Sequence, residues 1–543
     1  MPSPLVPVLV LLVLPALYLA HRLGRPRSRA LRWLGGGLLA AAVLAGAPWD
    51  GAGLVHLKRL TFFLCAAMVL VLTARHLGWL RGRRFVAVLC VMAAAAVVVY
   101  LNFFSFHGAR TFVQLHDVAH YYLGSKYYGE LGYRGLYSAM LRAEAEVYDN
   151  RFKTLSARDL ETYEEVHVAE LLRRSDPVKA AFSAARWEDF KRDVAWLREA
   201  LGPSYAAVLL DHGFNPTPVW ALVGGALARQ VPAGSGRGIL ALALVDVALL
   251  AGFFAAVAWA FGGRTLLVAL TYFCVIFGAN FNWTGGSFLR YLWLFGVGVG
   301  VCCLHRRRDA AAGALFALAA VLRVFPATFA LPIVAKGLAL AWRRRELPRR
   351  QAVFAASFVA TAAVLVGATA LLPRGFDHWR EFRGQMELYV ANISPNVVGL
   401  TQILAYQGGE REVTQGELDA LKARRQRIHN RQLVLIFLPL LAVAARLSRF
   451  STDLGTVALA LPLLLASVNL GSYYQVFLVV LVLWQRRSPR NLALIFAVEA
   501  ASYALMLFED REALLFLYRG ALLAFLYAAL FLPALRRELS PTR

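Results

Sequence analysis

Long apolar runs alternate with short polar connections along most of the chain. A helix rises about 1.5 Å per residue, so runs of about 15–22 residues match the hydrocarbon core of a bilayer. The pattern predicts an all-α polytopic membrane protein with about 13–16 transmembrane helices. The predicted spans are 5–20, 33–47, 57–74, 85–106, 239–261, 265–280, 288–304, 310–322, 327–342, 353–372, 433–445, 454–470, 474–484, 492–508 and 513–535.

Two polar stretches interrupt the apolar pattern and divide the chain. In the first stretch, residues 140–200 alternate apolar and charged positions, which predicts amphipathic helices lying on the membrane. The second contains aromatic residues at helical spacing, which predicts a short helix. The predicted divisions are N-terminal membrane helices (1–106), a large first outer loop (107–238), core membrane helices (239–372), a second outer loop (373–431) and C-terminal membrane helices (432–543).

The segment 214–228 fits neither pattern well, because it is apolar but lies within the first polar stretch. If it spanned the membrane, every later loop would change sides and basic clusters would face outward. Pro216 and Pro218 also break a regular helix at its start. We therefore expect a re-entrant or interfacial helix, while the sequence leaves open whether the segment spans or re-enters.

Composition supports the membrane class and gives an orientation. The 543 residues are 59% hydrophobic and carry a net charge of +25. The basic residues cluster at the ends of apolar runs, so they fit the positive-inside rule and contacts with membrane lipids rather than nucleic acid. This pattern predicts a multi-pass protein of the cytoplasmic (inner) membrane, with the first loop facing outside.

The five cysteines all lie within apolar runs and form no CxxC pair. A disulfide framework or a cysteine zinc site is therefore not expected. The chain also has no GxxxxGK[ST] loop for nucleotide binding. No cofactor is predicted.

The densest polar cluster follows the span at 85–106. Asp117 has His116 beside it, and His120 and Tyr121 lie one helical turn further along. The carboxylate is a candidate general base. Metal binding by His116, Asp117 and His120 is an alternative, but only two or three ligands are local, so no metal site is predicted. Lys126 and nearby tyrosines fit a site for a phosphate and a sugar ring, although tyrosines also serve as interfacial anchors.

Arg323 lies at the end of an apolar run, where a cation costs about 2.5–3.5 kcal/mol and requires a partner. That partner is either a lipid phosphate or a carboxylate of a neighbouring helix. Arg290 is a second cation on the same side, or an ordinary interfacial arginine. Tyr473 occupies another turn on that side. We assign substrate binding to His116, His120, Tyr121, Lys126, Arg290, Arg323 and Tyr473.

Taken together, these landmarks resemble a C-type integral-membrane glycosyltransferase, in particular the family 87 polyprenol-phosphate-mannose-dependent alpha-mannosyltransferases. The resemblance covers roughly residues 100–480. Two positions depart from the family pattern, since Arg323 replaces a lysine and Gly286 replaces a glutamine. The matching pieces are an Asp with a Tyr pair and a Gly-Tyr run (117–133), a Pro-containing apolar segment (214–218), an Asn-rich turn (280–286) and a basic residue before Pro (323–326).

The resemblance implies that a sugar, most simply mannose, moves from a polyprenyl-phosphate donor to an acceptor hydroxyl at the outer face, with inversion. Asp117 would be the base, and Arg323 with Lys126 or Arg290 would hold the phosphate, so no metal is required. The acceptor would be a glycolipid, a polysaccharide or a protein. The alternative is a polytopic transporter or lipid flippase, for which internal repeats are expected and none is evident.

Overall fold

The structure is a computed structural model, and it describes residues 54–108, 111–346, 348–391, 395–406, 415–449 and 451–539. The predicted spans at 5–20 and 33–47 lie outside these residues. The described chain is mainly helical. Its strands form two short antiparallel pairs, β1 (Ser156–Arg158) with β2 (Glu165–His167) and β3 (Val397–Val398) with β4 (Leu470–Gly471).

The described part begins with α1 (Leu54–His76) and α2 (Gly82–Tyr100). The first loop contains α3 (Leu115–Lys126), α4 (Tyr128–Leu131), α5 (Leu136–Tyr148), α6 (Val168–Arg173), α7 (Asp176–Ala180), α8 (Ala184–Leu201), α9 (Tyr205–Leu209) and α10 (Pro218–Ala228). The central part contains α11 (Gly236–Phe261), α12 (Gly263–Val275), α13 (Phe281–Thr284), α14 (Leu292–His305), α15 (Asp309–Arg323), α16 (Leu331–Arg344) and α17 (Arg349–Ala368).

The second loop and the C-terminal part continue the helical pattern. Their α-helices are α18 (Asp377–Ala391), α19 (Leu400–Leu404), α20 (Gln415–Gln432), α21 (Leu438–Ser448), α22 (Asp453–Ala458), α23 (Ala460–Ser467), α24 (Val479–Gln485), α25 (Pro489–Met506) and α26 (Glu512–Leu539). The helix predicted from aromatic spacing in the second loop is confirmed as α18. Shorter 3₁₀ and π turns occupy Gly202–Ser204, Phe325–Phe329, Thr369–Leu371, Leu433–Phe437 and Ser472–Leu478.

Seven helices of the described chain are long and apolar enough to cross a membrane. These helices confirm the prediction of an all-α polytopic membrane protein. The predicted number of about 13–16 spans stays a prediction, because two of the predicted spans lie outside the described residues and five further apolar helices have only 10–17 residues. α14, for example, has 14 residues, and such a helix is about 21 Å long. The seven candidates are His56–His76, Gly82–Tyr100, Gly236–Phe261, Phe325–Arg343, Arg349–Leu371, Ala420–Ser448 and Glu512–Pro533.

Glycines bring the central helices into close contact. A side chain at Gly313 of α15 would place its Cβ 2.2 Å from the carbonyl oxygen of Phe354 in α17. A Cβ at Gly296 of α14 would lie 2.7 Å from the carbonyl oxygen of Leu315 in α15. Small residues of this kind allow helix backbones to approach closely in membrane proteins. They fix α15, and with it Arg323, between two neighbouring helices.

The helices of the first loop pack mainly on each other. α8 buries Trp187, Phe190, Val194 and Leu197, which lie on one face of the helix. The ring of Phe190 lies 5.0 Å from that of Tyr127, which follows α3. The expectation that these amphipathic helices lie on the membrane is therefore wrong for this face, because it belongs to a second hydrophobic core within the protein.

The segment predicted to re-enter the membrane forms the short helix α10. Pro218 is its first residue, and the Thr217 hydroxyl accepts a hydrogen bond from the backbone N–H of Trp220 at 3.2 Å. The same hydroxyl donates to the carbonyl of Val321 at 2.6 Å, which attaches the start of α10 to the end of α15. Eleven residues give a helix of about 16 Å, which is too short to span a bilayer.

A buried ion pair joins the two C-terminal helices. Arg519 of α26 donates to the Glu499 carboxylate of α25 at 2.9 Å, and both side chains are fully buried. The Tyr272 hydroxyl and the backbone N–H of Phe277 also donate to this carboxylate, at 2.7 and 2.9 Å. The pair therefore ties α25 and α26 to the end of α12.

We expect Arg519→Met to lower the stability of the protein by about 3–5 kcal/mol, because it leaves the Glu499 carboxylate buried without a cation. The double variant Glu499→Leu/Arg519→Met is expected to recover most of this loss, since an apolar pair carries no buried charge. Thermal unfolding of the protein in detergent micelles measures both effects. Arg383→Met is a matched control, because Arg383 is 82% exposed. A double variant no more stable than Arg519→Met would contradict the prediction.

Candidate functional site

The predicted polar cluster lies on a helix that is fixed by a distant turn. α3 begins at Leu115, so the first helical turn contains Asp117, near the positive end of the helix dipole. The backbone N–H of Gln114 donates to the carbonyl of Gly286 at 2.9 Å. Its side-chain amide donates to the carbonyl of Asn282 at 2.7 Å. These bonds hold the start of α3 against the turn at 280–287.

Gly286 has a conformation and a position that require glycine. Its φ of +68° is in the left-handed region, which other residues rarely adopt. A Cβ on this residue would lie 1.9 Å from the carbonyl oxygen of Phe112. A side chain here would therefore separate the turn from the residues that precede α3.

Asp117 forms an ion pair with Arg290. The Nη2 atom of Arg290 lies 3.1 Å from each carboxylate oxygen. The two side chains are 19% and 13% exposed, so the pair lies in the wall of the protein without being sealed. Because a single nitrogen bonds to both oxygens, each oxygen keeps lone pairs for another donor.

Arg290 is itself held from two directions. Its backbone N–H donates to the buried carboxylate of Asp246 on α11 at 3.0 Å, and that of Tyr291 does so at 3.1 Å. Its guanidinium lies over the ring of Tyr473, with the central carbon 4.6 Å from the ring centroid. A cation over an aromatic face is attracted by the negative face of the ring. These contacts fix the direction in which Arg290 meets Asp117.

Arg323 contacts the same cluster through the rings of two tyrosines. Its guanidinium carbon lies 5.2 Å from the ring centroid of Tyr121 and 5.8 Å from that of Tyr474. The rings of Tyr473 and Tyr474 are 4.6 Å apart, so the contacts run continuously from Arg290 to Arg323. The structure thus brings Asp117, Tyr121, Arg290, Arg323 and Tyr473 together.

Tyr121 connects this cluster to the segment before α10. Its hydroxyl donates to Oδ1 of Asn215 at 3.1 Å. Burial raises the pKa of Tyr121 to about 12. The hydroxyl therefore stays protonated at neutral pH and remains a hydrogen-bond donor.

Both arginines adjoin residues with strained backbone. Leu289 precedes Arg290 with a φ of +54°, and Val324 follows Arg323 with a φ of +55°. A positive φ is uncommon for any residue with a side chain, and for a β-branched residue such as valine it is a clear outlier. Strain of this kind persists only where surrounding contacts enforce it, and it clusters at functional sites.

His116 and His120 lie close to the carboxylate of Asp211, whereas the sequence suggests Asp117 as their neighbour. The His116 Nδ1 atom lies 3.9 Å from Oδ2 of Asp211, which follows α9. Burial and the neighbouring His120 lower the pKa of His116. Burial opposes ionisation of Asp211, yet the nearby histidines lower the pKa of its carboxyl. The polar residues at the start of α3 therefore belong to two separate groups. Asp117 pairs with Arg290, and the two histidines lie near Asp211.

Lys126 is not part of either group. Its side chain is 5% exposed and its Nζ atom lies 2.9 Å from the fully buried Asp193 carboxylate of α8. It also donates to the Tyr122 hydroxyl at 2.7 Å and to the carbonyl of Val231 at 2.9 Å. The ammonium group has these partners inside the second core, so we correct its assignment to substrate binding.

Sequence reasoning missed Asp211 and Asp246. Asp246 is the sole acidic residue of the 26-residue apolar helix α11, and an intramembrane carboxylate of this kind is by default a candidate functional residue. Asp211 has no such signal, because only the fold brings it to α3. Tyr389 of α18 also lies close to this region, with its ring 5.2 Å from that of His212.

The fold and the site define a multi-pass membrane protein with a charged, tyrosine-rich cluster at the ends of its helices. No family model, curated protein or solved structure matches the chain. The function must therefore be argued from the residues of the site.

Proposed function

We propose that the chain is a glycosyltransferase that uses a polyprenyl-phosphate sugar, with mannose as the first choice from the family resemblance. The acceptor is a hydroxyl of a glycolipid, polysaccharide or protein at the outer face of the cytoplasmic membrane. The observation that carries the proposal is the cluster itself. A partly exposed carboxylate, Asp117, lies in one continuous set of contacts with two guanidinium groups and several tyrosine rings.

The reaction needs a base and a stabilised leaving group. The acceptor oxygen attacks the anomeric carbon from the face opposite the phosphate, and Asp117 takes the hydroxyl proton. The bond between the anomeric carbon and the phosphate oxygen breaks, and its electron pair leaves with polyprenyl phosphate. One bond forms as the other breaks, so the configuration at that carbon inverts.

Arg290 and Arg323 are suited to stabilise the phosphate. The buried Nε atom of Arg323 has no hydrogen-bond partner among the residues that the structure describes. A guanidinium with a free N–H matches a phosphate oxygen in charge and in geometry. Arg290 contacts Asp117 through Nη2 and stacks on Tyr473. Fixed cations at the site where charge develops stabilise a transition state electrostatically.

The tyrosines suit a sugar. Tyr121, Tyr473 and Tyr474 present ring faces to the arginines and are each partly exposed. A tyrosine offers an apolar surface for the C–H face of a pyranose and a hydroxyl for its polar edge. A site of this composition fits a sugar joined to a phosphate better than either group alone.

Transfer of radiolabelled mannose tests the proposal. Purified protein in liposomes would receive mannosyl-polyprenyl phosphate and a membrane extract as acceptor. We expect labelled product only in vesicles that contain the protein, and none when GDP-mannose replaces the lipid donor. A parallel assay follows a fluorescent polyprenyl phosphate between the leaflets without an acceptor. Leaflet exchange without transfer would favour a flippase and contradict the proposal.

A further inference from the structure

Three side chains beside the candidate base have the donor atoms of a metal site. His116 and His120 occupy positions i and i+4 of α3, so they lie on one helix face, as do the two histidines of helical zinc motifs. Asp211 joins them from the segment after α9. One donor atom from each of the three residues lies within 4.8 Å of the others. Donor atoms around a tetrahedral zinc ion lie about 3.3 Å apart, so small side-chain rotations would bring all three onto one ion.

The hydrogen bonds of His120 favour metal binding independently of these distances. Its Nε2 atom lies 3.2 Å from the carbonyl oxygen of Val208 and 2.9 Å from the hydroxyl of Tyr137. A carbonyl oxygen only accepts, so a hydrogen bond with Val208 requires the hydrogen of the ring to be on Nε2. In the neutral tautomer that donates to this carbonyl, the lone pair belongs to Nδ1. Histidine ligands of metals are oriented in this way, with the other ring N–H donated to a carbonyl or carboxylate.

The second shell continues beyond His120. The Tyr137 hydroxyl accepts a hydrogen bond from the backbone N–H of Gly213 at 2.9 Å. Gly213 lies two residues after Asp211, so the same hydroxyl holds both the imidazole and the segment that carries the carboxylate. His120 is 3% exposed, whereas His116 and Asp211 remain partly open. An ion would thus have one rigid ligand and two ligands that can adjust.

We propose that His116, His120 and Asp211 bind a divalent transition-metal ion, with Zn²⁺ as the best fit, and leave a fourth coordination position open. Two imidazoles and one carboxylate form a donor set that suits zinc with one position for water or substrate. The ion joins the first turns of α3 to the segment after α9, and so fixes the backbone that carries Asp117. This inference concerns metal binding and does not depend on the proposed transfer reaction.

Metal titration of tag-free, full-length protein in micelles tests the site. After chelator treatment and dialysis, we expect ZnCl₂ to bind at one equivalent per chain and to raise the unfolding temperature. His116→Ala and Asp211→Asn should each weaken zinc binding by more than about 100-fold, because even the outer partners of a ligand contribute about 10–100-fold. Both changes are at partly exposed positions, so the variants are expected to fold.

A matched histidine variant separates this site from general zinc binding. His167→Asn removes an exposed histidine of the same loop and keeps a side chain able to accept the hydrogen bond of Ala169. It should retain the affinity and the rise in unfolding temperature. CoCl₂ in place of zinc should give visible absorption in the wild type and in His167→Asn, and none in His116→Ala. Equal zinc affinity in all four proteins, or zinc without effect on the unfolding temperature, would overturn the proposal.

Discussion

Asp117→Asn is expected to lower the rate of sugar transfer by about 10²–10⁴-fold, the contribution of a positioned general base. The asparagine amide has nearly the same shape as the carboxylate, and its oxygen still accepts a hydrogen bond from Arg290. It has no negative charge with which to take the hydroxyl proton. The unfolding temperature should therefore change little while the turnover number falls. Transfer of labelled mannose from the lipid donor measures the loss.

Asp189→Asn is the matched control for this variant. Asp189 lies on α8 of the same loop, is 39% exposed and pairs with Arg192 on the surface. The same chemical change there should leave transfer unaltered. Asp117→Asn with wild-type turnover would remove Asp117 from the role of base, whatever the cluster around it binds.

Arg323→Met is expected to reduce transfer by about 10²–10³-fold, the loss typical for removing one group that stabilises a developing charge. The same change should leave the stability of the protein unaltered or raise it. Arg323 has a buried Nε without a described hydrogen-bond partner, and a buried cation carries a desolvation cost that an apolar side chain does not. Lower activity with an equal or higher unfolding temperature would mark Arg323 as a substrate-binding residue.

Arg323→Lys sharpens this prediction. Lysine keeps the charge but lacks the planar guanidinium that stacks on Tyr121 and Tyr474. We expect activity between that of the wild type and Arg323→Met, with a raised KM for the lipid donor. Arg383→Met serves again as the exposed control. If Arg323→Met lost stability and kept its turnover number, Arg323 would be a structural residue and the phosphate assignment would fail.

The helical class of the fold was accessible from the sequence, because long apolar runs report directly on burial in a hydrophobic environment. The partners of the charged residues were not. Lys126 follows Asp117 by nine positions, yet its ammonium group faces Asp193 in the second core. Arg290 is 173 positions from Asp117 and contacts it directly. Separation along the sequence is therefore a poor guide to contact in both cases, because the fold decides which residues pack on each side of α3.

The number of membrane-spanning helices is also difficult to predict from the sequence. Apolar composition marks the segments that enter a hydrophobic environment but not the points at which their helices stop. α12 ends at Val275 and α14 begins at Leu292, and the turn between them holds α3 and Arg290. Irregular backbone is tolerated within a membrane protein where other parts of the protein surround it. The sequence alone does not distinguish it from a turn at the membrane surface.

The attachment of α3 to the turn at 280–287 also has a consequence for the order of folding. Gln114 and Asn282 are 168 positions apart, so synthesis and insertion of α11 and α12 precede their contact. Domains generally fold as units during synthesis, and contacts of long sequence separation form late. The second core of the first loop lies largely within residues 118–242 and can form earlier. Asp117 and Arg290 therefore meet only after residue 290 has been synthesised, and a chain that stops before residue 280 would lack this ion pair.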